Sequence, residues 1–352
     1  MSRSRLALMI AILQAFAGSI SFAIDHAKIA RRSDPWFQSD EGVSVVRNIL
    51  SHQSMIGDWP KNLDTSAVRF TGDRSKIRGT FDNGATVGEL RILARAAVAN
   101  AETSDASRIA FLKGLDHVLA AQYPNGGWPQ SYPPGSGYAR YITFNDNTMI
   151  NLMELIRDAA TAAEFDFIDG ARRDRCRQAF DRGLSCILAA RIRTASGRTV
   201  WCAQHDEATL EPRPARAFEP ASASGAESAR ILRLLMSLEH PTDEVRAAIE
   251  EGAAWFARSA LVGVREVRVD GDKRMIDDPS APPLWARFYD LETNRPIYRG
   301  RDGVDRASIA EIEAERRNGY AWHGEWGKGV ASEYARWRKT RGKEPLGRGP
   351  RL

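Results

Sequence analysis

Three arginines and four oxygen-donor side chains stand in loops where turn chemistry alone does not require them. The arginines are Arg216, Arg287 and Arg301; the donors are Asp82 and Asn83 in Thr80–Thr86, and Asn145 and Asp146 in Tyr141–Asn147. A guanidinium is a planar fork that grips a carboxylate through two parallel bonds, which an ammonium cannot do. Carboxylate and amide oxygens are hard donors of the kind Ca²⁺ selects, although no EF-hand spacing follows them. Forks beside hard oxygens would suit a polymer of uronic acids held through its carboxylates and a bridging cation. Each residue also has an ordinary use. A surface Arg is usually a solvated charge, and Asp146 falls where an N-cap belongs, worth roughly 1 kcal/mol. Asp82 is harder to explain as a cap, because Thr86 and Glu89 already read as a capping box for the helix that follows.

The stretch from Trp201 to Ser228 contains Arg216 and shows neither a helical nor a strand period. A connection of that length inside a compact domain is uncommon and, when ordered, usually functional. His205 within it and His323 farther on are candidates for acid–base work or for positioning neighbours. The chain lacks a Gly-rich phosphate loop, a Gly-x-Ser-x-Gly elbow and a His-Glu-x-x-His pair. Because Asp and Glu are plentiful, a pair of catalytic carboxylates as in a glycoside hydrolase stays open.

Helices must position these loops, and their apolar periods repeat. The spacing predicts helices over Val43–His52, Val87–Ala101, Arg108–Gln122, Asn147–Thr161, Arg172–Arg191, Ser228–His240 and Asp243–Leu261. Trp59, Trp128, Trp201 and Trp285 mark alternate helices at intervals of roughly 70 to 85 residues. Repeated helical hairpins must bury their apolar faces on one another, which gives a curved array or toroid and brings alternate loops to one face. Trp59 and Trp128, flanked by Pro and polar residues, either pack between repeats or stack on sugar rings. Val262–Ile276 reads as a short β-hairpin around Asp270-Gly271.

Met1–Ala23 has the pattern of a secretory signal: Arg3 and Arg5, an apolar run from Leu6 to Phe16, then small residues to Ala23. The run is far shorter than the ~20 residues of a spanning helix, so no membrane partner is expected. One catalytic domain, residues 24–344, is expected after it, with 345–352 as a disordered tail, and the product is expected outside the cell or in the periplasm. The formal charge of +5 falls by two when Arg3 and Arg5 leave, too mild a balance to indicate nucleic acid. Three cysteines leave at least one free thiol, with Cys176 on a helical core stripe and Cys186 and Cys202 available for a bridge.

At its polar clusters the chain resembles pectate lyases of polysaccharide lyase family 10. The resemblance runs from about Ser39 to Gly329, through GDWPKN at 57, TFDNGAT at 80, NGGWPQSYP at 125, ITFNDN at 142, WCAQHDEATLEPRPARAFE at 201, WARFYDLETNRPIYRGRDG at 285 and ERRNGYAWHGEW at 315. It implies an all-α fold, a partial α/α toroid of three helical hairpins with short strands and long loops lining a cleft. It implies calcium-dependent β-elimination of polygalacturonate, an anionic polysaccharide, by a chain acting as a monomer. Carried over residue by residue, Arg216 is the base, Asp82 a calcium ligand with Asn145 and Asp146 beside it, and Arg287 and Arg301 bind substrate carboxylates. Trp128 and His205 are further substrate-binding candidates. Phe218 stands where the family usually has Tyr, and His323 stands in a segment where Tyr is expected. Two other functions compete with this one: a metal-independent glycoside hydrolase on a similar toroid, and a noncatalytic uronate-binding protein.

Overall fold

A computed structural model of the chain describes residues 25–194 and 197–340, so the signal segment 1–23 and the tail 345–352 lie outside the described residues. A short helix α1 (His26–Ala30) and a longer α2 (Asp40–Ser51) lead into three hairpins. These are α3 (Val87–Val98) with α4 (Ser104–Ala120), α5 (Thr148–Thr161) with α6 (Gly170–Ala189), and α7 (Gly225–Met236) with α8 (Asp243–Arg258). Helix α9 (Trp326–Thr340) closes the array against α7 and α8. The architecture is the expected partial toroid of three α/α hairpins.

Several helices begin a few residues before their apolar period does, because the capping side chains lie upstream of it. The Ser39 hydroxyl accepts from Gly42 N at 3.2 Å and the Asp169 carboxylate from Arg172 N at 2.9 Å, so α2 and α6 start at Asp40 and Gly170. The Thr86–Glu89 capping box is not formed. Thr86 has φ +64°, and its hydroxyl is taken by Trp59 N and the Thr80 carbonyl. Glu89, almost fully buried, accepts from the Thr65 hydroxyl instead. The β-hairpin is as read: Val264–Val269 pairs antiparallel with Asp272–Asp277 around Asp270-Gly271, both at positive φ as such tight turns require. Cys176, Cys186 and Cys202 are all free and buried, so Cys186 and Cys202 are not bridged. Among the described residues no helix is long and apolar enough to cross a membrane.

The four Trp markers share one role. Each is buried, and each indole N–H donates to a carbonyl in the last turn of the helix before it. Trp59 reaches Ile49 (2.8 Å), Trp128 reaches Val118 (2.9 Å), Trp201 reaches Ile187 (2.7 Å) and Trp285 reaches Phe256 (2.9 Å). The last four carbonyls of a helix have no partner within it, and in every repeat the indole satisfies the same one. The accepting residues, 49, 118, 187 and 256, recur at intervals of 69. Trp128 is therefore no sugar platform, and neither is Trp59: both rings are fully enclosed. Trp128→Ala should cost about 3–5 kcal/mol of stability in urea unfolding. Trp128→Phe, which keeps an aromatic ring but drops the N–H, should cost less than Trp128→Ala in the same unfolding measurement.

Candidate active site

The Trp-bearing segments place the polar loops. The carbonyls of Trp59, Trp128 and Trp201 accept from the amides of Thr80, Thr143 and Ser224 at 3.0, 3.0 and 2.8 Å. The next amide along, Phe81, Phe144 or Gly225, donates to Gln130, Ala203 or Arg287, each two residues past the Trp of the following repeat. One repeat is thus tied to the next at the point where the functional side chains emerge. Those side chains follow directly: Asp82, Asn145 with Asp146, and Glu227.

The first two loops use one backbone shape. Phe81 and Phe144 are helical, and the second residue after each is left-handed, Asn83 at φ +53° and Asp146 at φ +50°. Asn and Asp tolerate that region better than other non-glycine residues. Asp146 is consequently not the N-cap of α5. Asn147, also left-handed, precedes Thr148 and makes no capping bond.

Arg287 joins the loops. Its Nη2 donates to Glu227 Oε1 at 2.7 Å and Asn145 Oδ1 at 3.2 Å, and lies 3.5 Å from Asp146 Oδ1. Asn145 Nδ2 donates to the other Asp146 oxygen at 2.9 Å. Burial pushes the Asp146 carboxyl up, and the nearby Glu227 and Asp82 charges push it further while Arg287 opposes them. Burial alone would lower the Arg287 guanidinium, but Glu227, Tyr320, Asp146 and Glu219 hold it firmly charged. Asp82, also buried, accepts from Gln130 Nε2 at 2.7 Å and is paired with Lys61. The donors of Asp82, Asn145 and Asp146 suit a hard divalent cation. Among the described residues no group of three or more His, Cys, Asp or Glu could hold one, so the set here is two carboxylates and an amide.

Arg216 lies beside this group and is clamped. Its Nε and Nη2 donate to the two Glu219 oxygens at 2.8 and 2.5 Å, and its side chain is 47 % exposed. The Glu219 hydrogen bond raises the proton affinity of Arg216 above that of a free guanidinium. Burial would raise the Glu219 carboxyl, but Arg216 and the Tyr320 hydroxyl, 2.8 Å away, outweigh it and keep that carboxyl low. Tyr320 also presents its ring to Arg287 at 5.0 Å, so it bridges the two arginines. The buried Phe218 ring has the guanidiniums of Arg216, Arg301 and Arg316 at 4.7, 5.9 and 4.4 Å from its centre. Arg301 is the exposed member, forked onto Glu315 at 3.0 and 3.1 Å.

Two cleft lobes meet at Asp146 and Asn147. One, of about 470 Å³, is walled by Lys61, Asn62, Asn83 and Asn151; the other, of about 560 Å³, by Glu227, Arg230, Arg233, Arg287 and Trp326.

Five expected residues therefore come together, Asp82, Asn145, Asp146, Arg216 and Arg287, with Arg301 at the edge. His205 does not join them. It is fully buried, with Nε2 accepting from Cys202 N at 3.0 Å and Nδ1 2.8 Å from the Leu210 carbonyl. It braces the Trp201–Ser228 loop from inside, and is no substrate-binding residue. That loop is not free of strand either: Gln204–His205 pairs with Ile142–Thr143, and Ala223–Ser224 with Phe288–Tyr289. His323 has both ring nitrogens engaged, by Tyr298 at 2.6 Å and Glu266 at 2.7 Å. Sequence reasoning missed Glu227, Lys61, Gln130, Glu219 and Tyr320. Ser224-x-x-Glu227 carried a capping signature, but nothing local reports that Arg287 shares the Glu227 side chain.

The chain as a whole resembles known proteins. A family model described as pectic acid lyase matches residues 53–331. The chain is similar to a solved family 10 polysaccharide lyase from Cellvibrio cellulosa, with 34 % identity and a TM-score of 0.77, covering 86 % of this chain and 94 % of that one. It matches equally a mutant of such an enzyme in complex with trigalacturonic acid, at 34 % identity and TM-score 0.77, covering 86 % and 95 %. No curated protein matches the chain.

Burial drives the His205 imidazole down to about 4, from an ordinary value near 6.5. The unfolded chain binds the proton more readily than the folded one between these values, so stability rises with pH across that window. Protonating His205 inside the fold should cost of order 3 kcal/mol, a penalty absent above pH 6.5 that grows as pH falls through that window to about 4. Urea midpoints measured from pH 7 to 4 should fall, and less steeply for His205→Gln, which carries no proton to gain.

Proposed function

The chain belongs to the pectic acid lyase family and is a polysaccharide lyase acting on pectate; from that premise we propose that it cleaves polygalacturonate by calcium-dependent β-elimination with Arg216 as the base. The observation that carries the reading is the gathering of Asn145, Asp146 and Asp82 around Arg287, with Arg216 joined to Arg287 through Glu219 and Tyr320. Those residues match the required chemistry. A proton α to a carboxylate is a very weak acid, and removing it builds negative charge on that carboxylate.

Asp82, Asn145 and Asp146 would hold a calcium ion, which would supply positive charge to stabilise that carboxylate. Arg287, held rigidly by Glu227 and unpartnered at Nε, would orient the same carboxylate, and Arg301 a neighbouring one. Arg216 would take the α-proton. The electrons of the broken C–H bond then form the carbon–carbon double bond as the β-oxygen of the glycosidic linkage departs, taking a proton from solvent. To act, Arg216 must turn from Glu219 and be neutral. Glu219 keeps the Arg216 amide and the Tyr320 hydroxyl as donors when it does so. Export, guided by residues 1–23, would deliver the enzyme to its polymer outside the cell or in the periplasm.

Purified protein incubated with polygalacturonate at alkaline pH should produce the near-ultraviolet absorbance of unsaturated ends, and a calcium chelator should abolish it. Reducing ends without that absorbance would mean hydrolysis. Arg216→Lys, which keeps the charge but changes geometry and proton affinity, should lower kcat by about 10²–10⁴. Full activity in Arg216→Ala would rule Arg216 out as the base.

The Glu219 clamp sets the pH dependence. It raises the proton affinity of Arg216 in the free enzyme, so kcat/KM should climb with pH well into the alkaline range. Glu219→Gln removes the charge that stabilises the protonated guanidinium, so its climb should begin roughly one pH unit or more lower. An unshifted profile would show that Glu219 positions Arg216 without tuning it.

A further inference from the structure

The acids of the site are already neutralised by cations of the chain itself, and one of these is built to leave. Asp82 is 5 % exposed at its side chain, and each of its oxygens is occupied. Oδ2 accepts from Lys61 Nζ and from Gln130 Nε2 at 2.7 Å, and Oδ1 accepts from Asn83 N at 3.0 Å. A divalent cation needs those lone pairs directed at itself, so it cannot bind Asp82 through Oδ2 while Lys61 holds that oxygen. The amide donors are fixed by the fold: Gln130 lies two residues past Trp128, and its carbonyl accepts from Phe81 N at 2.9 Å. Lys61 differs. Its side chain is 36 % exposed, it sits in the loop after Trp59, and it forms part of the wall of the lobe of about 470 Å³ beside Asp146. The other polar residues of that wall are four amides, Asn62, Asn83, Asn147 and Asn151, with Asp146 and the His26–Glu89 pair.

We propose that Lys61 is a resident counter-ion of Asp82, displaced when a divalent cation binds, and that the freed ammonium becomes the carboxylate-binding group of the amide-lined lobe. The inference rests on the reading of Asp82 and Asp146 as cation ligands. A long, strongly hydrated ammonium on a flexible stem suits the exchange, where a forked and buried Arg such as Arg287 does not. The exchange couples two ligands. The cation must displace Lys61 from its partner, and an oligouronate then supplies that ammonium with a new carboxylate, so each ligand tightens the other, and by the same factor. In this arrangement the site holds no unpaired buried carboxylate before substrate arrives, and it becomes charged for a polyanion only when its cation is in place.

Calorimetric titration with Ca²⁺ tests this, with Arg216→Ala present throughout so that the oligomer persists. In the parent, saturating trigalacturonate should tighten Ca²⁺ binding by a measurable factor. Lys61→Met should bind Ca²⁺ without oligomer roughly five- to tenfold more tightly than the parent, with the enhancement by trigalacturonate reduced towards one. Arg230→Gln removes a cation from the other lobe without touching Asp82, and should change Ca²⁺ affinity less than twofold. Thermal unfolding confirms that both variants are folded. Unchanged or weaker Ca²⁺ binding in Lys61→Met, or equal tightening in Arg230→Gln, would overturn the exchange. Absence of Ca²⁺ binding to the parent even with trigalacturonate would instead overturn the assignment of the ligands. Cleavage of the oligomer in the Arg216→Ala background would count against the base alone.

Discussion

The hydrogen bond from a buried indole to a carbonyl in the last helical turn is the constraint on which the remaining structure depends. A helix end leaves carbonyls unpaired, and burying one without a partner costs about 1–3 kcal/mol. Each of Trp59, Trp128, Trp201 and Trp285 relieves one such carbonyl while filling core volume, which fixes the extended segment carrying it against its own helix. The backbone of three of these segments then holds the entry to the next inner helix through Thr80, Thr143 or Ser224. The adjoining amide reaches forward to the next Trp segment. Local satisfaction of a helix end is thereby converted into a belt of short pairings across one face of the toroid. The functional side chains stand on that belt within two residues of a fixed hydrogen bond, which is why loops without regular structure can hold a site.

How much of this was legible in the sequence depended on the range of the interaction. The three hairpins were, because apolar residues at helical spacing such as Leu90, Leu93, Leu115 and Val118 report burial directly. The recurrence of Trp was legible too, but not its role, since a Trp beside Pro in a polar turn looks the same whether it faces solvent or core. Capping was misread at Thr86 and Asp146 for one reason: both residues adopt positive φ, which no local pattern announces, so the hydroxyl and carboxylate turn away from the helix amides. The candidate ligands and Arg287 converge as expected, whereas Glu227, Lys61 and Gln130 were invisible. Their part in the site is created by partners 60, 21 and 48 residues away in sequence.

The charges of the site form a balance in which no buried acid is left alone. Glu227 and Asp146 share Arg287, Glu219 holds Arg216, and Asp82 holds Lys61. Taking an ion out of water costs several kcal/mol unless a partner offsets it, and removing one partner from a buried pair costs about 3–5 kcal/mol. A site that bound a polyanion through a cation, as proposed, would need internal partners for the interval before either arrives. The partners are not equivalent. Arg287 is enclosed and tied to three side chains, so it serves as a fixed point, whereas Lys61 and Arg216 are partly exposed and less confined to their partners.

That difference bears on how an arginine can be a base at all. Against Glu219, Arg216 is the worst candidate imaginable, because the carboxylate stabilises the very proton it must lose. Away from Glu219 its surroundings reverse in sign. Arg301 and Arg316 share the Phe218 ring with it, and a bound cation and Arg287 would add further positive charge near the substrate carboxylate. The flat Phe218 ring carries no hydroxyl, and Tyr320, packed edge-on to it at 5.4 Å, supplies one to Glu219 instead. Glu219 thus keeps a hydroxyl donor and an amide donor when the guanidinium departs, so the departure leaves no uncompensated buried acid behind. Proton affinity in such a site belongs to the position of the side chain and not to the residue type: high with Arg216 on Glu219, and lower if, as proposed, it turned towards like charges beside the polymer.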